Sequence, residues 1–113
     1  MAATLRVSFR QALPGTVLLV LDGPADYDNV DRLRHALASA LAGPPVPDTV
    51  VVDCSRLGFF SSTGLNEFIR ARRNALDAGI DFRLTSPSAQ MARVLQITEA
   101  DSLFHIAPPL PPQ

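Results

Sequence analysis

Leu5, Val7 and Phe9 alternate with Thr4, Arg6, Ser8 and Arg10. A period of two predicts a strand with one solvated face, placed at the edge of a sheet. Pro14-Gly15 interrupts the pattern as a turn, and the β-branched and aliphatic run Thr16 to Leu21 ends at Asp22-Gly23-Pro24. Two such runs around a Pro-Gly pair predict an antiparallel hairpin. Behind Asp26, a favourable N-cap residue, Val30, Leu33, Leu37 and Leu41 recur at helical spacing until Gly43-Pro44-Pro45. That triplet ends the helix and opens a proline-rich loop.

The second half alternates element types. Val50-Val51-Val52, within Thr49 to Asp53, is apolar on successive residues. This is the pattern of a central strand buried on both faces, and it needs a helix on at least one side. Leu65, Phe68, Ile69, Ala75 and Leu76 supply that helix, with Ala78-Gly79 as its stop. Asp81 to Thr85 follows as a strand. Ser86-Pro87 predicts an N-cap with proline at the first helical position, and Met91, Val94 and Leu95 mark the buried side of the helix it opens. Leu103 to Ile106 is the last predicted strand. An initial hairpin followed by alternating strands and helices predicts an α/β fold. Its mixed sheet joins the antiparallel hairpin to parallel strands through right-handed crossovers, with helices packed on it. The 113 residues fit one domain over residues 1–106. Ala107 to Gln113 carries four of the ten prolines, which predicts an extended, mobile tail.

Composition narrows the partners. Hydrophobic residues at 47% and charged residues at 19% oppose disorder. The net charge of −1, with ten arginines and no lysine, supports neither nucleic-acid binding nor polybasic attachment to a membrane. No run of 18 apolar residues occurs and the first ten residues lack a signal-peptide core, so a soluble cytoplasmic protein without direct membrane insertion is expected. Cys54, the single cysteine, ends the buried strand as a small apolar filler. His35 and His105 stand far apart with no ligand-spaced acidic or cysteine cluster, so neither metal nor cofactor is expected. Arg70, Arg72 and Arg73 form a small basic patch on a solvated helix face. Arg72 falls inside the apolar stripe, so its stem should pack while its head reaches water or a carboxylate such as Asp53.

The chemistry concentrates in Leu57-Gly58-Phe59-Phe60-Ser61-Ser62-Thr63-Gly64-Leu65. Three successive hydroxyls stand at the mouth of a helix, between two exposed-looking phenylalanines and a glycine. One cap oxygen suffices there. The surplus, beside the partly positive end of a helix, suits a reversible phosphate.

Taken in order, these features resemble the STAS domain family, and within it the bacterial anti-sigma factor antagonists, over residues 4–106. The similar parts are the buried strand Val50 to Asp53, the aromatic pair before Ser-Ser-Thr-Gly-Leu, the helix to Ala78-Gly79, the strand Phe82 to Thr85 and the Ser86-Pro87 helix start. In that family the loop typically reads Asp-Ser-Ser-Gly or Asp-Ser-Thr-Gly, and the serine after the aspartate is phosphorylated by the anti-sigma factor, a kinase. By motif position that serine is Ser62, with Thr63 as a secondary candidate. Gly23-Pro24-Ala25-Asp26 is similar to a second family signature, Gly-Glu-Leu-Asp, which implies that Asp26 lies near Ser62.

The resemblance implies a STAS-like fold without enzymatic activity and a partner-binding surface of Asp26, Ser61, Ser62, Thr63, Gly64 and Asn66. It also implies that the unphosphorylated form binds an ATP-binding serine-kinase anti-sigma factor and thereby releases a sigma factor, with a phosphatase reversing the modification. Ser61 stands where the family usually has aspartate; its hydroxyl can cap a helix but cannot act as an anionic base. That departure keeps a second reading open, a STAS docking subunit of a larger assembly, such as a lipid-transport ATPase or a stress-signalling complex, without obligatory phosphorylation. A third, a small hydrolase with Ser62 as nucleophile, lacks a Gly-x-Ser-x-Gly elbow, a Gly-Lys phosphate loop and a suitably placed histidine.

Overall fold

In the computed structural model, which describes residues 3–110, the chain begins with the predicted hairpin. Strand β1 (Arg6–Leu13) pairs antiparallel with β2 (Thr16–Ala25) through the Pro14-Gly15 turn. From there every pairing is parallel: β2 with β3 (Thr49–Phe60), β3 with β4 (Asp81–Thr85), and β4 with β5 (His105–Ala107). The spatial order of the five strands is their sequence order, so β1 is an edge strand and β3 is central. Three α-helices make the crossovers: α1 (Val30–Ala42), α2 (Ser62–Ala78) and α3 (Ala89–Ile97). A right-handed crossover repeated in one direction along a sheet returns each helix to the same face. In agreement, one apolar cluster takes in residues of all three helices together with Leu19, Val50, Val52 and Leu84 of the sheet.

At its centre Phe68 of α2 is fully buried between Phe60 and Phe104, edge to face with both, at centroid distances of 5.7 and 6.5 Å. Such pairs add to burial through the ring quadrupoles. The valine run is buried throughout, but its middle member differs from its neighbours. Val51 stays outside the helix-covered cluster and is still only 2% exposed, flanked in the sheet by Leu18 and Arg83.

Several boundaries depart from the sequence pattern. β3 runs on from Asp53 to Phe60, so half of the segment read as a loop is strand. Its two phenylalanines then face opposite ways, as successive strand residues must. Phe59 is 57% exposed and Phe60 only 4%, so the second is a core residue and not the surface residue expected. Asp26 precedes a short 3-10 turn at Tyr27–Asn29, and Asn29 occupies the N-cap position of α1. Leu76 is exposed on α2 although it fits the helical period. Gly79 ends that helix as predicted: it takes a left-handed conformation while its N–H reaches the Leu76 carbonyl and that of Ile80 reaches Ala75, the Schellman arrangement.

The predicted cap at Ser86 is two residues early. Ser86 has φ 52°, and the cap is Ser88, whose Oγ accepts from the Met91 N–H at 3.2 Å. The last strand is shifted to His105–Ala107, so Ala107, expected to open the tail, pairs with Thr85; positions 111–113 of that tail lie outside the described residues. Replacing a cap hydroxyl removes a partner from an orphan helix N–H at a cost of about 1 kcal/mol. Ser88→Ala should therefore lower the urea midpoint by that equivalent, whereas Ser86→Gly, at a left-handed position glycine adopts freely, should be tolerated.

Candidate functional site

The parallel pairing of β2 and β3 runs to their C-terminal ends, where Ala25 pairs with Phe60. One residue further along each chain stand Asp26 and Ser61, so the two family-like segments meet at one edge of the sheet. The approach of α2 to this edge is close. A Cβ on Gly64 would lie 2.8 Å from the Ala25 carbonyl oxygen and 3.3 Å from both the Ala25 Cβ and the Phe60 ring. Only a hydrogen fits there. Glycine at position 64 thus lets the first turn of the helix rest on the end of β2.

The three hydroxyls fall at N-cap, first and second helical positions. Ser61 has the extended backbone of an N-cap residue (φ −115°, ψ 176°) and its carbonyl accepts from the Leu65 N–H at 3.0 Å, but its hydroxyl makes no capping bond. The expectation that Ser61 caps through its side chain is corrected to a cap by backbone position alone. Ser62 is exposed, Thr63 is half-buried, Gly64 is buried and Asn66 is exposed. Asp26 is half-buried and also makes no capping bond, because its carboxylate accepts from the Asn29 side-chain amide at 2.8 Å. Asn29, buried, joins three segments: its Oδ1 accepts from the Leu5 N–H at 2.9 Å, and its amide also donates to the Ala3 carbonyl at 3.1 Å. A buried amide with both ends satisfied orients what it touches. Asn29 fixes both the Asp26 carboxylate and the chain entering β1.

Beside the helix start lies a groove of about 430 Å³ between α1 and α2, with Tyr27, Arg34, Thr63, Asn66, Glu67 and Arg70 among its walls. Tyr27 is 79% exposed. Glu67 is the buried carboxylate of the domain, 5% exposed, and it receives Nε and Nη2 of Arg34 on its two oxygens at 2.9 Å each. This fork joins α1 to α2. Arg34 also approaches Asp31 at 3.4 Å, and Arg70 lies 3.9 Å from Glu67. Hydrogen bonding to Arg34 holds the Glu67 carboxyl below its ordinary value against the opposing effect of burial. The sequence reading passed over Arg34, Glu67 and Asn29. Their only signal was a charged or amide side chain bordering an apolar helical stripe, which a solvated face shows as well.

The remaining candidates separate from this site. Arg72 directs its Nε to the Leu103 carbonyl at 2.7 Å, while Asp53 accepts from the Ser55 N–H, so the suggested Arg72–Asp53 pair is replaced by two local bonds. Cys54 is fully buried, and burial raises its thiol far above its ordinary value, consistent with a core filler. His35 is exposed on α1, and His105 lies 4.0 Å from Asp81 on β5. Among the described residues no group of three potential ligands gathers to hold a metal, and no helix is long and apolar enough to cross a membrane.

The Glu67 carboxylate carries a pH signature. Folding holds it below its unfolded value, so its contribution is complete at neutral pH and is lost as the pH falls from the ordinary carboxylate value of 4.5 through the folded one. Asp81, lowered by Arg83 at 2.6 Å, adds a weaker, solvent-screened contribution of the same sign. Urea unfolding at pH 7 and pH 4 should show the wild type losing more stability on acidification than Glu67→Gln does.

Comparison with known proteins agrees with this layout. The STAS domain family model matches residues 10–110. Among solved structures, an anti-sigma factor antagonist from Mycobacterium paratuberculosis aligns with TM-score 0.82 at 20% identity, over 97% of this chain and 92% of the other. The Bacillus cell fate determinant SpoIIAA in its phosphorylated form aligns at 0.67 and 22%, over 90% and 91%. A sulfate transporter family protein from Wolinella succinogenes aligns at 0.72 and 15%, over 86% and 80%. No curated protein sequence matches significantly. With nine-tenths of its length matched by the family model, the chain belongs to the STAS domain family.

Proposed function

We propose that this STAS domain is an anti-sigma factor antagonist switched by phosphorylation of Ser62. The observation that carries the reading is the placement of an exposed serine at the first position of α2, on the edge where Asp26 and the groove of Tyr27 and Arg34 also lie. The surface is then a docking face for a serine-kinase anti-sigma factor. Asp26, Ser61, Ser62, Thr63, Gly64 and Asn66 are its candidate contacts. Unmodified Ser62 offers a neutral hydroxyl. A phosphate there adds about 1.5 to 2 negative charges. Buried in an interface without a cationic partner, that charge costs several kcal/mol and weakens affinity a hundredfold or more.

The unphosphorylated protein binds the kinase and frees the sigma factor; phosphorylation dissociates the complex, and a phosphatase resets it. Ser61 shapes the kinetics. With no anionic side chain at that position, the kinase must supply the base that takes the Ser62 proton. The structural likeness to the phosphorylated form of SpoIIAA and to an anti-sigma factor antagonist supports this assignment.

The same Ser61 and the likeness to a sulfate transporter family protein favour a second reading, a docking module that uses this helix face in a larger assembly independently of phosphate. The two differ in their response to charge. Titration calorimetry of the kinase against Ser62→Ala and Ser62→Asp should give near wild-type affinity for the first and a loss of about a hundredfold for the second. Equal, tight binding of both variants selects phosphate-independent docking.

A further inference from the structure

Three adjacent hydroxyls pose a question of selectivity. Ser62 and Thr63 occupy consecutive helical positions, so their side chains point about 100° apart around α2. Thr63 lies on the side of Glu67 and Arg70, four and seven residues on, and these three line the groove together with Arg34 of α1. Ser62 is absent from that lining and exposed.

We propose that Glu67 determines which hydroxyl accepts the phosphate: its buried carboxylate, locked by Arg34 on the face it shares with Thr63, excludes a second anion from Thr63 and leaves Ser62 as the acceptor. This rests on the phosphorylation-switch reading and adds to it a residue that sets the site. The charge balance of the groove carries the argument. Asp31 and Glu67 supply two negative charges, Arg34 and Arg70 two positive ones. Both oxygens of Glu67 are engaged by the Arg34 fork, so the guanidinium is already committed when a new anion arrives. A dianion on the Thr63 oxygen would stand one helical turn from a buried carboxylate, in a groove with no net positive charge. Like charges four residues apart are destabilising even on exposed helices, and a committed cation offers no compensation. On Ser62 the same dianion faces solvent, at the favourable end of the helix dipole.

The exclusion is testable without a kinase, in the purified domain, with glutamate as the anionic probe. Thr63→Glu should lower the melting temperature by about 2–4 °C more than the neutral, equally large Thr63→Gln. Glu67→Gln should abolish that difference. Ser62→Glu should equal or exceed Ser62→Gln in stability whether or not Glu67 is present. The Thr63→Gln reference separates charge from bulk. The inference is overturned if the glutamate and glutamine variants at position 63 melt together, or if their difference persists in Glu67→Gln. Because no partner enters these measurements, they stand or fall separately from the kinase-binding test of the switch.

Discussion

The site depends on one close approach, that of Gly64 to the Ala25 carbonyl. A parallel sheet brings the C-terminal ends of its strands to one edge, but it does not by itself set how near the following helix comes. Here the helix descends until a hydrogen at position 64 is all that fits against β2. Phe60 and Phe68 fix the same junction from below, one on the last turn of the strand ladder and one on the second turn of the helix. With backbone and core both closed at this point, the start of α2 has little freedom. Its first residues are presented as a fixed edge beside Asp26, itself held by Asn29.

Rigid presentation suits a surface that must discriminate a hydroxyl from a phosphate. A binding face built on a mobile loop could move a new charge into solvent and lose little affinity. On an ordered helix end the charge stays in the contact plane, so its desolvation cost appears in full as lost binding. The Arg34–Glu67 fork extends the same logic to the neighbouring groove. It ties α1 to α2 across a gap that apolar packing leaves open, and it fills that groove with a balanced set of charges.

Much of the fold was legible because the hydrophobic period is strong where packing is simplest. The β1–β2 hairpin, the parallel order from β2 onward, the Asp81–Thr85 strand and the Gly79 stop follow from alternation, helical spacing and turn residues. The errors share a cause. Phe60 belongs to β3, but the sequence after Asp53 loses its apolar continuity at Ser55 and Arg56, and strand pairing with Asp22 and Gly23 restores an extension that local pattern does not announce. Ser86 and Ser88 are both good caps in composition. The left-handed backbone at Ser86, set by how the chain leaves β4, decides between them. At the site, Ser62, Thr63 and Gly64 were visible as a local run, whereas Asn29, Arg34 and Glu67 act through partners 24 to 33 residues away. Pairings of that kind emerge only from tertiary structure.

The central claim is that a helix-end hydroxyl at position 62 is the point where charge decides association. Its most direct measurement is phosphosite mapping by mass spectrometry, after incubating the full chain with ATP and serine-kinase anti-sigma factors encoded in the same genome. The account predicts a single phosphate on Ser62, absent from Ser62→Ala. Stoichiometric phosphate on another residue, or none from any of those kinases, would contradict it.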